Sequence, residues 1–264
     1  MLRRMNPRLG LACAATLVAL PAAASAAIVQ PPITTVAPGT LTVCTFGGFP
    51  PTSYAAAGGT WAGLDATFVG RFARSAGLSV TPRISTSFAG IWQRPGTGEC
   101  DMAAAGITVT NERRQQAAAS TFSAPYHATL RAYVVRRGSV LTGPRGLAGK
   151  TVLVVKGSIA QEDVQRRVRR AGVAGVRIRF VAGGVAARQA VRSGRAFAYE
   201  TDDLSARQAA RVDPRLAVAW LHPRADAQGR SVREDLAYVV RDASTGLLPA
   251  LNAFIAENRD DYAT

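Results

Sequence analysis

Strand-like and helix-like segments alternate through residues 40–258 in two successive series. That alternation predicts an α/β protein with mainly parallel sheets. Two further observations agree. The run "TVLVVKG" (151–157) is apolar nearly throughout, as in a strand covered on both faces of a sheet. Glycines mark the strand-to-helix turns in both series.

The first series opens with the strand "LTVCTF" (41–46) and a Gly/Pro loop, "GGFPPTSYAAAGG". In "LDATFVGRFARSAG" the residues Leu64, Phe68 and Phe72 recur every four positions, an apolar helix stripe. Asp65 stands where an N-cap would, and Gly77 where the helix should stop. A short strand, "SVTPRIS", follows, and then "FAGIWQ", helical in character but cut by Pro95-Gly96. "CDMAAAGI" is a strand and "NERRQQA" a helix start. The second series begins with the strand "RAYVVRR", the loop "LTGPRGLAGK" and the apolar strand above. Ser158 and Gln161 have capping-box spacing for the helix "AQEDVQRRVRRAG". "VRIRFV" is a strand, "VAARQAVRSG" a helix closed by Gly194, and "AFAYETDD" a strand ending in acids. "DLAYVVRD" adds one more strand and "LPALNAFIAEN" a final helix.

The 264 residues allow one large domain or two smaller ones. The first 26 read as a leader, not as fold. A basic stretch, "MLRRMNPR", precedes an apolar one, "LGLACAATLVAL", and a small-residue one, "PAAASAA". That is a secretory signal cut after Ala26 or Ala27. The expected mature protein is soluble and exported to the periplasm. Cleavage removes Arg3, Arg4 and Arg8, so net charge falls from +15 to +12. The arginines lie along helix-like segments without interleaved aromatics, so they read as a solvated face and not as a nucleic-acid surface. Export permits a bridge between the two remaining cysteines, Cys44 and Cys100, each in or at the start of a strand. A bridge and two separate buried thiols both stay open at this point. The two histidines, His127 and His222, are too few and too far apart in sequence for a metal site, and no cofactor motif occurs.

Five stretches, in this order, resemble the extracytoplasmic solute-binding proteins of polar amino-acid uptake systems: "FPPTSY", "GLDATFVGRFARSAGL", "GECDMAAAGITVTNERRQQAAASTFSAPY", "LAGKTVLVVKGS" and "VRSGRAFAYETDD". The resemblance implies the periplasmic-binding-protein fold: two α/β lobes, two crossing strands as hinge and a ligand in the cleft. It places lobe one at about 28–127 plus 232–264, lobe two at 128–223 and the return crossing at 224–231. In the "T-x-T-x-x-R" turn, Arg113 takes the position that clamps a ligand carboxylate, with Thr108 and the amides from Gly106 onward completing the anion pocket. Asp202 takes the position that receives the ligand ammonium, and Asp203 is left to cap the next helix. Phe49 and Phe88 fall where aromatics sandwich the ligand. Gly157, Ser158 and Ile159 form a helix start facing the cleft. Ile159 replaces a common Thr, and Phe46 is neither acid nor base, so the expected ligand is an amino acid with a neutral or partly apolar side chain. The implied partner is an ABC-transporter permease, and the implied state a monomer. The same motifs resemble exported cyclohexadienyl (arogenate/prephenate) dehydratases. Those draw a glutamate from one turn after the lobe-two aspartate, where Ser205 stands here, and Glu200 is the one nearby substitute.

Overall fold

The computed structural model describes residues 32–226 and 228–262. The expected signal segment, residues 1–26, lies outside the described residues. In chain order the first half gives β1 (Thr40–Phe46), β2 (Gly48–Phe49), β3 (Ser53–Ala55), β4 (Trp61–Ala62), α1 (Leu64–Ser75), β5 (Ser79–Ser85), β6 (Met102–Ala103), α2 (Asn111–Gln116), β7 (Ser120–Phe122) and β8 (His127–Thr129). The second gives β9 (Arg131–Arg136), β10 (Thr151–Val155), α3 (Ile159–Arg170), β11 (Arg177–Val181), α4 (Gly184–Arg192), β12 (Ala198–Asp202), α5 (Asp203–Val212) and β13 (Leu216–His222). The chain then returns through β14 (Arg224–Ala225), β15 (Ser231–Val232), β16 (Glu234–Leu236), β17 (Val239–Arg241) and α6 (Leu247–Asn258).

Two five-stranded sheets result, in the orders β5-β1-β6-β17-β7 and β11-β10-β12-β9-β13. Each is parallel across its first three strands. Each turns antiparallel at β17 or β9, the strand that enters from the crossing pair β8–β16. A strand arriving from the other lobe runs against those that grew outward from β-α-β turns. The segment 224–231, expected as the return crossing, lies in the β14–β15 hairpin, and the strand that pairs with the outgoing chain is β16.

Burial explains the local choices. β10 is buried at four of its five positions and sits inside its sheet, as its apolar run requires. Pro82 is tolerated in β5 because that strand is an edge. The α1 stripe packs Phe68 and Phe72 against Leu41, Val43, Tyr126 and Tyr238. Asp65 is not the cap of α1. Gly63, at φ 114°, precedes the helix, and Asp65 points inward, fully buried. Tyr262 donates to Asp65 Oδ1 at 2.8 Å, and the Gly106 amide to Oδ2 at 2.9 Å. Ser158 precedes α3 but does not cap it through its side chain, since its hydroxyl donates to the Val155 carbonyl at 2.7 Å. "DLAYVVRD" is two strands, because Ala237 and Tyr238 turn their amides to Ile107 and Ser123 between sheets. The edge strand β13, bracketed by Asp213-Pro214 and Pro223, is one that the alternation did not predict. Cys44, on β1, and Cys100, just before the neighbouring β6, form a disulfide with a Cα–Cα distance of 5.8 Å.

Candidate functional site

Between the two sheets lies a narrow cavity of about 30 Å³, so a ligand larger than a water must part its walls to enter. Eight of the nine cleft residues singled out from the sequence line it: Phe49, Phe88, Gly106, Thr108, Arg113, Ser158, Ile159 and Asp202; Gly157 does not.

Arg113 is 3% exposed, although it belongs to a short helix at the surface. Thr110 caps that helix by accepting from the Arg113 amide at 3.1 Å, which turns the side chain inward. The guanidinium lies 4.4 Å from the Trp92 ring centroid and 5.5 Å from that of Phe88. It donates to the Thr108 carbonyl at 3.0 Å and, across the cleft, to the Gly157 carbonyl at 3.1 Å. No carboxylate pairs with it among the described residues; Glu112, its sequence neighbour, accepts from Gln116 instead. Burial pushes its pKa down to about 10. A buried cation held only by carbonyls and aromatic faces is poised to accept an anion.

The rest of the expected anion pocket is arranged differently. The Gly106 amide is already spent on Asp65, and the Thr108 hydroxyl donates to Glu234 Oε1 at 2.8 Å. The division of labour between the two aspartates is also corrected. Asp202 caps α5, accepting from the Ser205 amide at 2.8 Å, while it lines the cavity. Asp203 accepts from the Thr129 hydroxyl at 2.6 Å and the Leu130 amide at 3.1 Å, fastening the crossing. The first acid after a strand is the one whose backbone is still extended, which is what an N-cap needs. Phe49 and Phe88 meet edge to face at 5.0 Å, and both pack on Phe46. Phe46 is buried behind them and does not line the cavity, so it cannot select a ligand by contact.

Three charged residues on the cavity wall have roles that the sequence did not assign. Arg131 makes a bidentate pair with Glu200, Nε to Oε1 at 2.7 Å and Nη2 to Oε2 at 3.0 Å, and reaches Glu234 Oε1 through Nη1 at 3.2 Å. Burial pushes Glu200 up to about 8 despite that partner. Glu200 therefore does face the cavity, but both its oxygens are occupied. Arg131 and Glu234 head the strands β9 and β16, each at the start of an apolar stretch of sequence. A charge before an apolar run reads as a strand's exposed end, and only the crossing buries both ends together. Asp163, Glu200 and His222 also cluster, within 4.8 Å. Asp163 is bonded by the Arg167 Nε and the Ala225 amide, so a metal would have to displace two guanidinium groups.

Two α/β lobes, a crossing pair and a buried arginine facing the space between them define the class of two-lobe solute-binding proteins. The family model described as bacterial extracellular solute-binding proteins, family 3, matches residues 41–263, and the chain belongs to that family. No curated protein matches the sequence. Among solved structures, an ancestral arginine-binding protein bound to arginine is 28% identical, with TM-score 0.72, over 85% of this chain and 94% of that one. An ancestral amino acid-binding protein described as a precursor of cyclohexadienyl dehydratase is 24% identical, with TM-score 0.69, over 85% and 92%. The substrate-binding protein of an amino acid ABC transporter is 21% identical, with TM-score 0.69, over 84% and 94%. These last two bear on the fold alone. No helix among the described residues is long and apolar enough to cross a membrane.

Proposed function

We propose that this is a periplasmic, monomeric binding protein that captures an amino acid and presents it to the permease of an ABC transporter. The observation that carries the reading is Arg113, a buried guanidinium without a carboxylate, sharing one cavity with Asp202. A ligand carboxylate at Arg113 and ammonium at Asp202 join the two lobes, which couples binding to closure. Phe49, Phe88, Ile159 and Leu236 line the same cavity and suit a partly apolar side chain. Binding is favoured over catalysis by two details. Ser205 stands where the related dehydratases place their acid, and Glu200 has both oxygens held by Arg131, which leaves it badly placed to deliver a proton.

The test is calorimetry with a panel of L-amino acids. Arg113→Ala should weaken binding by several kcal/mol, and Arg113→Lys should not restore it, because an ammonium lacks the bidentate fork. Unchanged affinity in both variants removes Arg113 from the site. Formation of phenylpyruvate or phenylalanine from prephenate or arogenate well above the uncatalysed rate, lost in Glu200→Gln, replaces the binding reading with the enzymatic one.

A further inference from the structure

The cavity wall carries an acid that the proposed carboxylate and ammonium contacts leave unused. Glu234, on the crossing strand β16, is 1% exposed and lines the cavity. Its Oε1 accepts from the Thr108 hydroxyl and Arg131 Nη1. Its Oε2 is buried and has no partner. Thr108 has given its only hydroxyl proton to Oε1, and Arg131 meets Glu234 at Oε1 alone. A buried carboxylate oxygen without a donor is costly, and a bound molecule that brings a donor relieves that cost.

Arg131 is already paired with Glu200, and the ligand's own carboxylate and ammonium occupy Arg113 and Asp202, so Glu234 is the acid of the cavity wall left to meet a further positive charge. Resting on the binding reading above, we infer that Glu234 receives the cationic end of the ligand's side chain. The substrate class is then a basic amino acid, an apolar stem tipped by an ammonium or guanidinium. The stem lies along Phe49, Phe88, Ile159 and Leu236, and the tip reaches Oε2.

The experiment compares L-lysine and L-arginine with L-norleucine and L-glutamine by calorimetry on the wild type and on Glu234→Gln. Norleucine matches the lysine stem without its charge, and glutamine offers N–H donors without charge. The wild type should prefer a basic ligand over both by about tenfold or more, as expected for hydrogen bonds to a charged group. That preference should shrink to within about threefold in Glu234→Gln, since the acceptor charge is gone. Norleucine or glutamine binding the wild type as well as lysine and arginine overturns the inference and leaves the binding reading standing. A preference that survives in a folded Glu234→Gln protein overturns the assignment to Glu234. Failure of every amino acid to bind a folded wild type sinks the binding reading itself, and the inference with it. If Glu234→Gln does not fold, Glu234→Asp, which keeps the charge but shortens its reach, takes its place with the same expected loss.

Discussion

The backbones of the two lobes nearly touch at Gly183 and Gly48. Gly183 precedes α4 in the second lobe, and Gly48 sits in β2 beside Phe49. A Cβ built on Gly183 would lie 2.7 Å from the Gly48 carbonyl oxygen and 2.8 Å from its Cα. Gly183 has φ 164°, extended backbone that any residue adopts, so Gly183→Ala introduces no conformational strain. Its effect is steric and falls on the seam between lobes. Restoring ordinary contact requires the two backbones to part by roughly 0.7 Å, and overpacking of this kind costs about 1–3 kcal/mol. If only the closed form grips ligand fully, affinity falls by about 5- to 150-fold. The assay is calorimetric Kd for the best amino-acid ligand, with melting of the unliganded protein alongside. Gly143→Ala is the control, since Gly143 is also extended and its added Cβ meets nothing within 4 Å. Affinity within twofold of wild type in Gly183→Ala refutes the reasoning. So does an equal loss of melting temperature without ligand, because the contact then serves the fold and not closure.

The Cys44–Cys100 bridge closes a loop with a sequence separation of 56, worth about 4 kcal/mol by chain entropy, so the Cys44→Ser/Cys100→Ser pair should melt roughly 8–16 °C lower. A drop below about 3 °C in scanning calorimetry would show that lobe one holds those strands without it. Burial raises Asp65 to about 6 from an ordinary 3.8, so the native state favours its protonated form. Its contribution is fully present below pH 3.8 and is lost as pH rises through 6, about 3 kcal/mol in all. Melting of wild type against Asp65→Asn from pH 4 to 7 should show the wild type losing ground, and a constant difference would contradict the shift. Tyr262→Phe removes the 2.8 Å donor to Asp65 and should cost about 1–2 kcal/mol in urea unfolding, with no change expected at a tyrosine that made no such bond.

What the sequence made legible was local. The four-residue stripe of α1 and the apolar run of β10 gave their elements because burial is written directly into periodicity. Arg113 was singled out by the resemblance of its "T-x-T-x-x-R" turn to that of the family, and it lies buried on the cavity wall. The errors share a cause: they concern groups whose partners are distant in sequence. Asp65 has the position of a cap, but its partners are Gly106 and Tyr262. The Thr108 hydroxyl looked free until Glu234, far along the chain, came to meet it. Arg131, Glu200 and Glu234 form one cluster only after the crossing strands bring three strand ends together. A charge pair 69 or 103 residues apart leaves no periodic trace.

The first sheet places β17, from residues 239–241, between β6 and β7, from residues 102–103 and 120–122. The second sheet draws every strand from 131–222. This interleaving sets an order of assembly. As the chain emerges from its N-terminus, the second lobe is the first to have a complete set of strands. The first lobe, although it starts earlier, must wait with an unfilled slot in its sheet and Asp65 lacking Tyr262. Its exposed strand edges are where aggregation or proteolysis would strike before the chain is complete. A chain stopped after residue 222 should therefore yield a folded second lobe attached to an unfinished first one, and the ligand cavity is among the last parts of the molecule to exist.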